Sequence, residues 1–193
     1  MPETLKQLSL GFNYKLKPFV PSIVQLPAQR MVEVEVLGDP STVSARVLPM
    51  LYATAYGIRK RYKDAGVVFA VEKLRGRWAD GNLKRSKDAW EGRYGLPVPN
   101  DTESLPEIKK EKQVAGVNIC LATWQYGFVG QILHEGPYSH EASTIERLHQ
   151  HVLGQGYVAI PDSHEEVYLT DPNKTAPEKM KTILLVRLGK PAA

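Results

Sequence analysis

From Met31 to Leu37 the chain reads MVEVEVL. Val32, Val34 and Val36 alternate with Glu33 and Glu35, the two-residue period of a half-buried strand. Gly38-Asp39-Pro40 then turns the chain, and Ser41 or Thr42 is placed to cap a helix running to about Asp64, stopped by Gly66. Leu48, Leu51, Ala55 and Ile58 give that helix an apolar stripe. Pro49 falls inside it. Proline there removes a backbone hydrogen bond and costs about 3 kcal/mol, so a kink or restart is expected. VVFAVEKL reads as the next strand, and a loop with Gly76, Gly81 and Asn82 leads to a short strand near Asp88 to Glu91. The prolines and Asn100-Asp101 of residues 95–106 mark a connector, and EIKKEKQV reads as a charged helix starting near Pro106.

The second half repeats the order. NICLATW and GFVGQILHE read as a hairpin around Tyr126-Gly127, and Gly136-Pro137 turns the chain. A helix from about His140 to Leu153 carries Ile145, Leu148 and Val152 on one face and ends at Gly154 and Gly156. Strands at His164–Thr170 and Lys181–Leu188 complete it. The expected fold class is α+β, a duplicated strand–helix–strand–strand arrangement. Residues 1–29 read as an irregular lead-in, and residues 30–193 as one domain with pseudo-repeats at about 30–95 and 112–190. The strands would form an antiparallel sheet, or two abutting ones, with helices on one side and a ligand groove between the halves on the other. Ligand sites favour such internal interfaces.

One strand raises a question of chemistry. In HEEVYLT, Glu165, Val167 and Leu169 share one face, and His164, Glu166, Tyr168 and Thr170 the other. Val167 and Leu169 are expected against the helices. A glutamate on the other face ordinarily meets water. However, the last strand, ILLVRL, is apolar on both faces, which is the pattern of a strand buried on both sides. If it lies beside the EEVYL strand, Glu166 faces a covered space and not bulk water. A buried carboxylate costs several kcal/mol, so its presence asks for a use. Tyr168, Trp78, Tyr56, Tyr138, Trp124 and Tyr126 are aromatic candidates to join it, although core packing accounts for each taken singly. An acid ringed by aromatics suits a cationic or flat aromatic ligand.

Composition narrows the setting. The chain has 193 residues, 42% hydrophobic and 24% charged, as in ordinary globular proteins. No apolar run approaches the roughly 20 residues that span a bilayer, and no signal sequence is recognisable, so a cytoplasmic protein is expected. The net charge of +4 is unevenly spread. Between Ile58 and Arg93, eleven basic residues face five acidic ones. Between Gln113 and Asn173, seven acidic residues face Arg147 alone, and all five histidines lie there. The basic stretch has no recognition-helix or zinc-finger pattern, and a solvated face accounts for it better than nucleic-acid binding.

QILHEGPYSHEASTIERLHQHVLGQGY followed by HEEVYLTDPNKTAPEKMKTILLVRL resembles the GyrI-like small-molecule-binding domain. The matching features are a His-x-Gly-Pro-Tyr turn, a helix ending in Gly-Tyr, a Glu-x-Tyr-Leu-x-Asp-Pro strand and a Lys-Thr-Ile strand. GDPSTVSARVLPMLYATAYGIRK and LRGRW resemble the first half of stand-alone members. The resemblance spans about residues 30–188. It implies duplicated SHS2-type units with a cleft between them, related to the effector-binding parts of AraC-type and MerR-type multidrug-sensing regulators. It carries onto Glu166 the role of the central cleft acid, with Tyr168 beside it, and onto Trp78 that of the tryptophan after the first-half glycine. It also implies an alternative, hydrolysis of cyclopropanoid or other electrophilic natural products, with Glu166 as the catalytic group. The chain departs from the family at Arg75 and Tyr126, where acids are usual, and at Glu165, where a histidine is common. The first two would remove carboxylates from the cleft side.

Other chemistry is set aside. His149 and His151 are two apart and cannot form a helix-borne zinc pair. A metal site from His134, His140 and His164 is not expected. Cys120 is single and reads as packed. No phosphate loop or cofactor motif is present, so no cofactor is expected. The expected partner is a small aromatic or cationic molecule that the protein senses or sequesters. A membrane is not expected, and a protein partner is suggested only by the gyrase-inhibitor origin of the family name.

Overall fold

The computed structural model describes residues 6–190. In chain order its elements are β1 (Lys6–Leu8), β2 (Ser22–Leu26), β3 (Gln29–Leu37), α1 (Pro40–Asp64), β4 (Val67–Phe69), β5 (Arg75–Trp78), β6 (Glu91–Pro97), β7 (Ile119–Trp124), β8 (Gly127–Glu135), α2 (Glu141–Gly154), β9 (Val158–Ala159), β10 (Glu165–Tyr168) and β11 (Lys181–Gly189). β1 and β4 form a small parallel pair, and the remaining strands form one antiparallel sheet. Its hydrogen-bonding order is β2-β8-β11-β10-β5-β6-β3-β7, with β9 on the end of β11. The α+β class is as expected.

The duplication is visible in that order. β3, α1, β5 and β6 form one unit, and β8, α2, β10 and β11 the other. Each unit presents its third element, β5 or β10, to the middle, where the two pair antiparallel. The sheet centre is therefore the seam between the repeats, and Glu166 lies on it opposite Gly76.

Two expectations about connectivity are corrected. Residues 22–26 of the supposed lead-in are a strand of the main sheet. In addition, β7 and β8 do not form a hairpin with each other. β7 pairs with β3 and β8 with β2, at opposite ends of the strand order. Yet Leu26 faces Gly127 and Gln29 faces Trp124, so one register continues across the corner made by Pro27-Ala28 and Gln125-Tyr126. Only two residues join β2 to β3 and β7 to β8. The sheet must therefore curl until its two ends meet.

The curl gives the sheet an inside and an outside. Met31 from one end packs with Val129 and Leu133 from the other, and with Trp124, Tyr126, Val167, Ile183 and Leu185. Phe12, Tyr14 and Leu16 of an extended N-terminal strap close over this inner cluster. Both helices lie outside. α1 buries Val47, Met50, Leu51, Ala55 and Ile58 against Val32, Val34, Val36, Tyr94 and Leu96. α2 buries Leu148 and Val152 against Ile132, Leu184 and Val186.

The helices differ from expectation in detail. Asp39 caps α1, accepting a hydrogen bond from the Ser41 backbone at 2.9 Å, and Pro40 takes the first turn. The helix runs uninterrupted through Pro49. Burial of the stripe on both sides of Pro49 offsets the lost hydrogen bond. The charged helix expected after Pro106 is only a 3-10 turn at Lys110–Lys112, because Glu107 to Gln113 offers no apolar face to bury. VVFAVEKL pairs only over β4, and the strand expected near Asp88 is the longer β6, which absorbs the start of the connector.

Candidate functional site

Glu166 lies on the outer, helix side of the sheet. Paired residues share a face, so Glu166, Leu184, Gly76 and Tyr94 point the same way. Leu184 packs under α2, and Tyr94 packs in the cluster under α1. The expectation that Val167 and Leu169 pack on the helices, with Glu166 on the far side, is thus inverted. Val167 is on the inside of the curl, sealed by the strap. Alternation gives the phase of a strand, but it cannot tell which of two buried faces the helices take.

Around Glu166 the aromatic residues form a continuous cluster. The Trp78 indole N–H donates to the Tyr168 hydroxyl at 3.1 Å. Trp78 stands edge-on to Tyr94 at 5.5 Å between ring centres, Tyr94 lies 6.4 Å from Tyr168, and Tyr168 lies 6.1 Å from Tyr138. Two glycines make room for this. A Cβ on Gly76 would sit 2.6 Å from the Tyr168 hydroxyl oxygen and 3.0 Å from the Trp78 indole nitrogen. A Cβ on Gly92 would sit 2.4 Å from the Trp78 ring. The Gly-x-Trp of β5 is therefore a device for laying an indole across the sheet.

Glu166 keeps 14% of its side-chain surface exposed, and its carboxylate lies 3.3 Å from His164 Nε2. Its charge is felt throughout the cluster. Burial and then Glu166 push the hydroxyl of Tyr138 up to about 12, and hold those of Tyr94 and Tyr168 well above their ordinary range. A second carboxyl joins it. Glu141, the first residue of α2, is only 6% exposed. Burial, and next the charge of Glu166, push it up to about 9, against a hydrogen bond with Thr182 that acts the other way. One carboxyl is thus held neutral beside another.

Of the expected site residues, Glu166, Tyr168, Trp78 and Tyr138 come together. Tyr56 is 55% exposed on α1, next to the half-buried Tyr52. Trp124 and Tyr126 do not join them. They are inside the curl with Glu165, Arg75 and Arg77. There Tyr126 donates to Glu165 at 2.8 Å and accepts from Arg75 at 2.6 Å, while Arg77 donates to Glu165 at 2.9 Å. The departures at Arg75 and Tyr126 thus build a buried ion network on the other face and take nothing from the Glu166 side. The sequence reading missed Glu141 and Tyr94. Tyr94 falls between the strand expected near Asp88 to Glu91 and the connector at residues 95–106. Glu141 occupies the first turn of α2, where an acidic residue is ordinary, and only its burial sets it apart.

Among the described residues no group of histidine, cysteine and acidic side chains is placed to hold a metal ion. Nor is any described helix long and apolar enough to cross a membrane.

No family model matches the chain, and no curated protein does. Solved structures do. An uncharacterized conserved protein from Listeria innocua is 27% identical, over 89% of this chain and 93% of that one, with a TM-score of 0.73. A hydrolase from Listeria innocua is 25% identical, over 91% of this chain and 95% of that one, also at 0.73. The C-terminal domain of EcmrR, 12% identical over 89% of this chain and 98% of that one, matches in fold at 0.55. The chain has the GyrI-like effector-binding fold.

Proposed function

We propose that the chain takes up a small aromatic or cationic molecule against the Trp78–Tyr94–Tyr138–Tyr168 cluster, with Glu166 as its charged partner. The observation that carries this reading is a partly exposed carboxylate set among four aromatic side chains. Aromatic rings attract a cation face-on and stack on a flat ring, and a carboxylate in a poorly hydrated site adds charge selectivity. Such a protein would sense or sequester toxic compounds. Titration calorimetry with a matched pair of aromatic dyes, one cationic and one neutral, tests it. The cationic dye should bind more tightly in wild type, and the difference should vanish in Glu166→Gln. Equal affinity for both dyes in wild type would overturn the charge argument.

A second reading, hydrolysis of an electrophilic small molecule such as a strained cyclopropane in the same place, is favoured by the likeness to the Listeria innocua hydrolase over nine-tenths of both chains. Chromatographic detection of a ring-opened product separates it from binding alone.

A further inference from the structure

The inside of the curl holds more positive charge than it pairs. Arg75 and Arg77, two apart on β5, share one carboxylate: Arg77 donates to Glu165 at 2.9 Å, and Arg75 lies 3.5 Å from its other oxygen. The nearby acid Glu33 belongs to Trp124 and to Arg93, 3.6 Å away. Glu72 stands beside the Tyr14 hydroxyl. Among the described residues no carboxylate other than Glu165 forms an ion pair with Arg75 or Arg77. An unmatched guanidinium is costly where water is excluded, and Arg75 is only 2% exposed. Its hydrogen bonds are incomplete as well. Nη1 donates to the Tyr126 hydroxyl at 2.6 Å. Nε is buried without a partner among the described residues, as are Arg77 Nη2 and the Tyr14 hydroxyl. Arginine nitrogens only donate, so what Arg75 lacks is an acceptor. Beside it lies a cavity of about 20 Å³, roofed by Leu10, Gly11 and Phe12 of the strap and bordered by Tyr126. Gln29 also lines it, but its amide is committed to the Val98 carbonyl at 2.7 Å. The space is a little more than a single water needs.

We propose that the inside of the curl binds a small monovalent inorganic anion of about chloride size, held by Arg75 in the cavity under the strap and balanced by the charge that Arg75 and Arg77 carry in excess over Glu165. This site is on the opposite side of the sheet from Glu166 and its aromatic cluster. A water molecule in the cavity would supply an acceptor and leave the charge unmatched, whereas an anion supplies both. The surroundings also set the selectivity. Glu165 repels a second negative charge, which disfavours divalent anions, and the size of the cavity excludes sulfate and gluconate. Because the strap roofs the cavity, a bound ion fastens the strap to the sheet. Stability then depends on the anion: a ligand that binds only the folded chain raises stability with the logarithm of its concentration once the site is half filled.

The test titrates chloride into the full chain held in sodium gluconate, at constant ionic strength so that screening does not change. Chlorine NMR line width reads binding, and thermal melting reads its linkage to stability. Wild type should show saturable broadening that bromide reverses and sulfate does not, and a melting temperature that rises with chloride but not with sulfate. Arg75→Gln leaves Glu165 its partner Arg77 while removing the orphaned nitrogen and the excess charge. The half-saturating chloride concentration should then rise roughly 10-fold or more. Arg77→Gln removes the excess charge at a more exposed position, should weaken chloride in the same direction, and carries the test if Arg75→Gln does not fold. Lys60→Gln, at an exposed position on α1, should leave the titration unchanged. Absence of saturable broadening, with equal melting in chloride and gluconate, would mean that the cavity holds only water and would overturn the proposal. Broadening that persists unchanged in a folded arginine variant, or that disappears in Lys60→Gln, would place the ion on the surface and overturn it as well.

Discussion

Glu165 and Glu166 are neighbours in the chain and face opposite sides of one sheet, each with its own electrostatic neighbourhood. Glu165 is 2% exposed and held by Arg77 at 2.9 Å, by Tyr126 at 2.8 Å and by Arg75 at 3.5 Å. Arg75 and Arg77 also lie over Phe12 and Trp124 rings at 4.6 Å and 4.0 Å. That acid is spoken for. Among the described residues, Glu166 has His164 at 3.3 Å, a cluster of tyrosines and the Glu141 carboxyl around it, and no arginine or lysine paired with it. It retains capacity for an incoming positive charge or water.

The two glutamates should therefore respond differently to the same substitution. Glu165→Gln breaks a buried pair and leaves two guanidiniums facing a neutral amide, so it should cost about 3–5 kcal/mol of stability. Glu166→Gln should change stability little and weaken a cationic aromatic ligand by about 1.5–3 kcal/mol. Chemical denaturation and calorimetry on both variants read this out. Equal stability loss in the two would contradict the separation of roles.

Gly76 and Gly92 should not tolerate a methyl group. Gly76→Ala drives a Cβ into the Tyr168 hydroxyl and the Trp78 nitrogen, and Gly92→Ala drives one into the Trp78 ring. Overpacking of this kind costs about 1–3 kcal/mol. Tryptophan fluorescence should shift as Trp78 is displaced, with lowered ligand affinity. A variant with wild-type melting and an unchanged spectrum would show that the ring has room to move.

The sequence made the repeat units and the face shared by Glu166 and Tyr168 legible, because both follow from local periodicity. Val32, Val34 and Val36 do pack under α1 as their alternation implies. The curl was not legible. It depends on β2 and β7 reaching opposite ends of the strand order, a long-range fact that no local pattern carries. One local pattern does point to it. Phe12, Tyr14 and Leu16 alternate with Asn13, Lys15 and Lys17, a pattern as regular as that of β3, and they form the inward face of the strap. Without the strap the inner face of β10 looked free for the helices, and the two sides of the sheet were exchanged.

Stability should fall with rising pH on account of Glu141. Its folded value of about 9 lies above the ordinary carboxyl value, so between those two the folded protein binds more protons than the unfolded chain. Stability from this group is then present at low pH and is lost as pH climbs toward 9. Glu141→Gln removes the dependence. Its melting temperature should exceed wild type by a margin that grows from pH 5 to pH 9. A constant margin would mean that Glu141 titrates normally.

The strap is the remaining test of which face is which. Phe12 lies against the Arg75 guanidinium, and Tyr14 and Leu16 pack on the inner apolar cluster that includes Tyr126 and Val167. Phe12→Ala should cost about 2 kcal/mol, the lower part of the range for burying a phenylalanine plus about 0.5–1 kcal/mol of cation–π attraction. Deleting residues 1–17 should go further. It opens the inside of the curl, where Arg75 and Glu165 are each 2% exposed, and should lower the melting temperature and admit a hydrophobic fluorescent dye. Aromatic cation binding should survive in the protein that remains folded, because Glu166, Trp78 and Tyr138 stand on the other side of the sheet. If the deletion instead abolishes that binding while the fold is retained, the ligand enters beneath the strap, beside Trp124 and Tyr126, and the outer cluster is not its site.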